Sequence, residues 1–234
     1  MIGIYFGSHE NNKGWMAEDC YLCQEDYVKI IPEYGSFPDF ELINKINANE
    51  EGYFDFSKGM IDIGSELGQF SLNTNFTHYE MFDGNDEKCV MAAANMLIRG
   101  KHKICNIHNT LLSDEIEDIK YDGFLTSYSN VTETYHYKKE NEHLQRSTTL
   151  DSYNIKDISF IKIDVEGMEE KVLRGGIGTI IRNNYPAILF ECWDVGYFNM
   201  TQERHDSLKN FLKSLGYEII WYWGDFENHL AIHK

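Results

Sequence analysis

From Gly59 onward, short apolar runs alternate with segments of helical periodicity. The five runs are GMIDI (59–63), HYEMF (78–82), KICNI (103–107), ISFIKID (158–164) and AILFECW (187–193). Runs of this length between helices are typical of βαβ units, in which helices cover a parallel sheet. The final segment, YEIIWYWGDFENHLAIHK, instead predicts two strands joined near Gly224 and Asp225. We therefore expect an α/β domain whose mostly parallel sheet ends in a hairpin.

The helices between these strands are predicted from apolar positions three or four residues apart. They are expected to begin near residue 67 and to cover residues 86–98, 169–182 and 203–215. On the second of them, Val90, Ala94 and Leu97 recur at helical spacing. Gly216 directly follows the last one, as expected for a C-terminal cap.

Two segments depart from this alternation. Residues 1–55 have a mixed pattern that prolines interrupt, with one short amphipathic helix expected at residues 40–49. We interpret residues 1–55 as an extension that caps the main domain or its substrate cleft, and residues 56–234 as that domain. Residues 113–147 lack strong periodicity, so we expect a functional insertion there with room for one hairpin.

The charge of the chain limits its partners. The 38 acidic and 21 basic residues give a formal net charge of −17 at pH 7. Binding to the phosphate backbone of a nucleic acid or to anionic lipid is therefore disfavoured, whereas a neutral or cationic partner is easily accommodated. The sequence shows no run of about 18 apolar residues and no basic leader, so we expect a soluble, cytoplasmic protein without a membrane span.

The segment DIGSELGQF, from Asp62 to Phe70, carries two glycines between a strand and a helix. Glycine at positions 64 and 68 lets a ligand approach the backbone, because no side chain collides with it. The spacing is GxxxG rather than GxGxxG, so the loop that binds a dinucleotide pyrophosphate is not reproduced and a nicotinamide dehydrogenase is disfavoured. Asp62 would repel a pyrophosphate but attract a cation. A purely structural turn is the alternative.

Asp83, in MFDGN, follows the second predicted strand, about 20 residues after the glycine loop. A carboxylate at this point of such a sheet accepts hydrogen bonds from the two hydroxyls of a bound ribose. The alternative is a turn-forming Asp in an Asp-Gly pair. The combination with the glycine loop favours the nucleoside interpretation.

The segment ISFIKIDVEGMEEKVLRGG (158–176) combines a strand, the pattern Lys-x-Asp-x-Glu-Gly and a helix. It resembles the signature of the FkbM family of S-adenosylmethionine-dependent methyltransferases. Further similar segments follow in the family's order, namely GMIDIGSELGQF, YEMFDGN, NTLLSD, TTLDSY and PAILFEC, and the resemblance covers about residues 57–193. It implies the class I methyltransferase fold, a doubly wound, seven-stranded and mostly parallel sheet of order 3-2-1-4-5-7-6 whose last strand is antiparallel.

The resemblance also implies a site for S-adenosylmethionine. The glycine loop would lie against the methionine part of this cofactor, Asp83 against the ribose, and the turn after the third strand near the adenine. Glu66 stands where the family commonly has Asn, and it adds a negative charge beside the sulfonium. The implied cofactor residues are Asp62, Gly64, Ser65, Glu66, Gly68, Asp83, Asn109, Thr110 and Leu111.

In this sheet order the fourth and fifth strands are neighbours, which places Asp164 and Glu191 at adjacent carboxyl ends, where such sheets bind ligands. Glu166 either joins them or caps the following helix. Two mechanisms fit three clustered acids. In one, a carboxylate, preferably Asp164, takes the proton of an acceptor hydroxyl as general base. In the other, Asp164 and Glu191 hold Mg²⁺ or another divalent cation that acidifies the hydroxyl. His136 and His143 are further candidate bases.

The resemblance implies an O-methyltransferase acting on a hydroxyl, with a sugar in a glycan or glycan precursor as the leading acceptor. The alternatives are a lipid or small natural product as acceptor, or a non-catalytic cofactor-binding scaffold in a glycan-synthesis complex. A glycosyltransferase domain or protein is an expected partner. Aromatic side chains could pack on sugar faces or fill a satellite core. They are Tyr121, Phe124, Tyr128, Tyr135, Tyr137, Trp193 and Tyr197.

Overall fold

Strands and helices alternate along most of the chain in the computed structural model, which describes residues 2–6, 20–24, 39–122, 142–192, 195, 200–221 and 228–234. The strands are β1 (Ile2–Phe6), β2 (Cys20–Gln24), β3 (Gly59–Ile63), β4 (Tyr79–Asp83), β5 (Cys105–Asn109), β6 (Leu111–Leu112), β7 (Asp118–Asp122), β8 (Glu142–Thr148), β9 (Ile158–Ile163), β10 (Ala187–Glu191), β11 (Tyr217–Trp221) and β12 (Asn228–His233). The helices are α1 (Phe40–Ala48), α2 (Gln69–Asn73), α3 (Asp86–Ile98), α4 (Glu169–Arg174), α5 (Ile177–Arg182) and α6 (Gln202–Ser214), with a 3₁₀ helix at Leu150–Tyr153.

Seven strands form the central sheet in the order β11-β12-β10-β9-β3-β4-β5. The five strands from β10 to β5 in that order are parallel to one another. β12 runs antiparallel to both β10 and β11. Numbered among themselves along the chain, and read from the β5 edge, these strands stand in the order 3-2-1-4-5-7-6. The expected doubly wound sheet with an antiparallel last strand is therefore confirmed.

Both faces of this sheet are covered, which explains why its strands are nearly continuous apolar runs. All five residues of β3 are buried, as are five of the six residues of β9. On one face, Ile61 and Ile63 pack with residues of α4, α5 and α6. On the other face, Met60 packs with residues of α1, α2 and α3. Because helices cover both faces of the sheet, a ligand site is expected in the loops at the carboxyl ends of the strands.

Helix α3 has the predicted bounds, but its inward face differs from the apolar spacing seen in the sequence. Val90 and Leu97 are 66% and 59% exposed. The buried side of the helix carries Met91, Ala92 and Met96 instead. Ala92 allows a close approach to the sheet, and the unbranched methionines fill the remaining gaps.

The prediction of one helix over residues 169–182 is wrong, because α4 and α5 are separated by Gly175 and Gly176. A Cβ at Gly175 would lie 2.0 Å from the carbonyl oxygen of Ser113. The start of the insertion therefore packs directly on the backbone at this point, where any larger residue would collide. The break reflects a contact between segments that are distant in sequence, which helical periodicity alone does not reveal.

Asp151, in the 3₁₀ helix, caps α5 across this break. Its carboxylate accepts hydrogen bonds from the backbone N–H groups of Gly178 and Thr179 and from the Thr179 hydroxyl. We expect Asp151→Ala to lower the free energy of unfolding by about 2 kcal/mol, because these donors lose their acceptor. The control is Asp118→Ala, since Asp118 forms an exposed ion pair with Arg146 of the kind that adds little stability. Equal losses for both variants in urea denaturation would contradict the capping role.

The hairpin of the insertion pairs with β6, which lies just before the insertion, in a three-stranded sheet of order β6-β8-β7. β7 and β8 are antiparallel and make the hairpin for which the sequence has room. Residues 123–141 between them lie outside the described residues.

Near the other end of the chain, α1 buries Leu42, Ile43 and Ile46 in the same core cluster as Met60. The interpretation of residues 1–55 as a cap over the cleft stays a prediction. None of the described helices has the length and hydropathy needed to cross a bilayer.

Candidate active site

The glycine loop joins β3 to α2 and lies against neighbouring backbone. Gly64 has a φ of +70°, and a Cβ there would lie 1.8 Å from the carbonyl oxygen of Asp164. Gly68, with a φ of +82°, precedes α2, and a Cβ there would lie 2.9 Å from Cε of Met81. Gly64 therefore requires glycine for both backbone angle and space, whereas Gly68 requires it chiefly for its backbone angle, because the Met81 side chain can shift. The loop brings Gly64 into direct contact with the chain that leaves β9.

Two buried oxygen atoms beside this loop, Asp62 Oδ1 and Ser65 Oγ, have no hydrogen-bond partner within the described part of the chain. The other carboxylate oxygen of Asp62 accepts a hydrogen bond from the Ser71 hydroxyl at 2.6 Å. Asp62 is 1% exposed, and burial raises the pKa of its carboxyl. Buried polar atoms that lack a hydrogen bond are costly. The Lys162 ammonium, 4.0 Å from Asp62 Oδ1, offsets part of this cost for Asp62, so the Ser65 hydroxyl indicates most directly a polar ligand group at the loop.

Asp83, at the end of β4, is held by two backbone groups. Oδ1 accepts a hydrogen bond from the N–H of Asn85 at 2.8 Å, and Oδ2 accepts one from the N–H of Glu66 at 3.0 Å. Burial raises the pKa of Asp83, and the charge of Lys88 opposes this effect. A carboxylate oxygen accepts more than one hydrogen bond, so both oxygens retain capacity for the hydroxyls of a ribose.

The turn after β5 lies beside Asp83. The backbone N–H of Thr110 donates to the Asp83 carbonyl at 2.9 Å, and Nδ2 of Asn109 donates to the Gly84 carbonyl at 3.3 Å. Leu111 packs on Gly84 so closely that a Cβ at Gly84 would lie 2.3 Å from Leu111 Cδ2. The structure therefore brings the residues predicted to bind the adenine next to the predicted ribose acid and the glycine loop.

Asp164, Glu166 and Glu191 form a cluster, here called the acid cluster, at the carboxyl ends of β9 and β10. Each offers a carboxylate oxygen, and the three oxygens lie within 4.8 Å of one another. The two strands are parallel neighbours, and Ile163 pairs with Phe190. Asp164 and Glu191, the residues that directly follow this pair, therefore lie side by side. All three side chains are partly exposed. Such an arrangement can take a proton from a substrate group or provide oxygen ligands for a divalent cation.

Glu166 has a left-handed backbone, with a φ of +55°. Burial, followed by the charges of Asp164 and Glu169, raises the pKa of Glu166 to about 9. The backbone N–H groups of Val165 and Gly167 donate to Oε1 of the buried Glu169 at 3.0 and 3.1 Å. The acid that caps this turn is therefore Glu169, for which no role was predicted from the sequence. Glu166 belongs to the acid cluster.

Lys162, in β9, links the glycine loop to the acid cluster. Its Nζ donates to the Gly64 carbonyl at 3.0 Å and lies 3.4 Å from Oδ2 of Asp164 and 4.0 Å from Oδ1 of Asp62. Burial alone would lower the pKa of Lys162, but the charges of Asp164 and Asp62 outweigh burial and raise it. Lys162 had no predicted role either, although a lysine within the apolar run ISFIKI is a detectable signal in the sequence.

Several candidates from the sequence cannot be placed beside this site. Those that lie outside the described residues are His136, Phe124, Tyr128, Tyr135, Tyr137, Trp193 and Tyr197. For His143 and Tyr121 the structure describes the backbone, in β8 and β7. Their roles as base or acceptor contacts stay predictions.

Comparison with solved structures supports the fold. An FkbM methyltransferase from Methylobacillus flagellatus superposes with a TM-score of 0.55 at 16% identity, over 81% of this chain and 47% of that one. This chain therefore spans about half the length of that protein. A putative caffeoyl-CoA O-methyltransferase from Staphylococcus aureus gives 0.55 at 12% identity, over 88% and 92%. A precorrin-6y C5,15-methyltransferase from Geobacter metallireducens gives 0.50 at 10% identity, over 85% and 90%. At these identities the likeness concerns the fold alone.

No curated protein sequence matches the chain significantly. The family model of the methyltransferase FkbM domain matches residues 62–219. The matched range begins at Asp62 of the glycine loop and includes the acid cluster. Sequence and fold agree, and the chain belongs to the FkbM methyltransferase family.

Proposed function

We propose that this methyltransferase transfers the methyl group of S-adenosylmethionine to a hydroxyl oxygen, with a sugar of a glycan or glycan precursor as acceptor. The observation that carries the proposal is the contact between the glycine loop and the acid cluster. Gly64 lies directly on the carbonyl of Asp164, and Lys162 contacts both the Gly64 carbonyl and the Asp164 carboxylate. A group bound at the loop would therefore lie next to carboxylates that can act on an acceptor.

The glycine loop and Asp83 fit the proposed cofactor. Oδ1 of Asp62 and Oγ of Ser65 are buried oxygens that a polar group of a methionine moiety could complete. Gly64 and Gly68 leave the backbone accessible, and Asp83 has remaining acceptor capacity for a ribose. When bound, the cofactor supplies a methyl group on a sulfonium, which an oxygen nucleophile can attack in line.

The acid cluster would prepare the acceptor. A hydroxyl attacks poorly until it loses its proton, so either Asp164 takes that proton directly or the cluster holds a divalent cation that makes the hydroxyl more acidic. Lys162 keeps Asp164 in place in both versions. Burial and the charges of Asp164 and Glu169 raise the pKa of Glu166 and so favour its protonated form. Asp164 and Glu191 stay the proposed base or cation ligands.

Calorimetry with S-adenosylhomocysteine tests the cofactor assignment. Wild-type protein should bind it, and Asp83→Ala should weaken binding by about 10- to 100-fold, since hydrogen bonds to a charged acceptor are lost. Glu87→Ala is the matched control, because it removes an exposed carboxylate from the nearby first turn of α3. Absence of binding to the wild type, or undiminished binding by Asp83→Ala, would remove the central claim.

The family resemblance and the net charge of −17 support a neutral hydroxyl acceptor over a phosphorylated one. A screen of simple glycosides, lipids and small phenols with isotopically labelled cofactor, read by mass, tests this. Methylation of a glycoside supports the sugar assignment. Methylation of a lipid or small product favours the first alternative. Cofactor binding without any product favours a scaffold, for which a glycosyltransferase is the expected partner.

A further inference from the structure

Glu66, in the glycine loop, combines an unusual backbone conformation with a buried ion pair. Glu66 has a φ of +49°, in the left-handed region. Residues other than Gly, Asn and Asp enter this region infrequently, so a glutamate here is uncommon. Its side chain makes a specific contact.

That interaction is an ion pair with Lys88, in the first turn of α3. Nζ of Lys88 lies 3.0 Å from Oε1 of Glu66, and the two side chains are 4% and 17% exposed. Burial alone would lower the pKa of Lys88, whereas the charges of Glu66 and Asp83 raise it. Since the pair is largely withdrawn from solvent, loss of Glu66 would remove the largest of the opposite charges that act on Lys88.

The pair joins the two segments that hold Asp83. The backbone N–H of Glu66 donates to one oxygen of Asp83, and the N–H of Asn85 donates to the other. Asn85 in turn accepts a hydrogen bond at 3.0 Å from the backbone N–H of Lys88. Glu66 therefore orients the Asp83 carboxylate directly, and Lys88 is connected to that carboxylate through Asn85.

We propose that Lys88 is a positioning residue for the cofactor, acting through Glu66 to hold the glycine loop and the Asp83 carboxylate in the arrangement that receives the ribose. This proposal rests on the proposed function. It assigns Glu66 a role that needs Lys88, so that the acid and the lysine act as one unit. The extra negative charge of this chain's loop is thereby neutralised in place.

A double-mutant cycle on S-adenosylhomocysteine affinity, measured by calorimetry, tests the proposal. Lys88→Met should weaken binding at least about tenfold, because the buried carboxylate of Glu66 then shifts the loop. Glu66→Asn should also weaken binding, because the ammonium of Lys88 then interacts chiefly with Asp83 and competes with the ribose for its carboxylate. The double variant should recover to within about threefold of wild type. Lys45→Met, which removes an ion pair on α1, is the control and should change affinity less than about twofold.

The affinities of these variants distinguish a positioning role of the Glu66–Lys88 pair from a purely structural one. If Lys88→Met binds as tightly as wild type and loses only thermal stability, the pair is structural and the proposal fails. It fails equally if Lys88→Met added to Glu66→Asn lowers affinity further, a comparison that stands even if the single Lys88 variant does not fold. If the wild type itself does not bind S-adenosylhomocysteine, the proposed function fails first and this inference with it.

Discussion

Turnover of methyl transfer is expected to fall by about 100- to 10,000-fold when Asp164 is replaced by Asn. Asn keeps the size of the side chain and the backbone carbonyl that contacts Gly64. It cannot take a proton, and it is a weaker ligand for a hard cation. Affinity for S-adenosylhomocysteine should stay within about threefold of wild type, because the glycine loop and Asp83 are untouched.

The control for this prediction is Glu170→Gln, since Glu170 lies on α4 and pairs with Arg174 within the same helix. Wild-type activity in Asp164→Asn would exclude both versions of the mechanism for this residue. Exhaustive chelation distinguishes them. Activity that is lost and then restored by Mg²⁺ favours the cation, whereas activity that persists favours the carboxylate base.

Sequence periodicity predicted the scaffold well because the strands are buried on both faces. β3 and α3 have the bounds expected from the sequence. β5 begins two residues later than the run KICNI, at Cys105. β5 is an edge strand with partly exposed residues, so its apolar pattern is weaker than that of β3. The order of the strands came from the family resemblance, since periodicity does not specify which strands are neighbours.

Hydrophobic periodicity could not predict the residues whose roles depend on partners distant in the sequence. Lys88 pairs with Glu66 across 22 positions of the chain, and Lys162 reaches Gly64 across 98. The break at Gly175 depends likewise on Ser113. In each case the determining contact exists only once the sheet has brought separate loops to one edge. Buried lysines in otherwise apolar or helical segments are the detectable trace of such contacts.

Glu166 offers the second large effect, on stability rather than turnover. Its pKa is raised from an ordinary 4.5 to about 9, chiefly by burial and then by Asp164. A carboxyl whose pKa is higher in the folded than in the unfolded state favours folding when protonated. This contribution is fully present below about pH 4.5 and is lost as the pH rises to about 9, because the unfolded chain releases the proton first.

Glu166→Gln removes the titrating group while keeping its size, so the variant should gain stability relative to wild type as the pH rises from about 5 to about 9. The gain cannot exceed about 1.4 kcal/mol per pH unit, which is the limit for one proton. Urea denaturation at pH 5, 7 and 9 measures it, and Glu41→Gln, at an exposed position of α1, should show no such trend. A stability difference independent of pH would mean that Glu166 is already ionised in the folded protein. The acid cluster would then hold three negative charges at neutral pH, and a bound cation would be the natural means of compensating them.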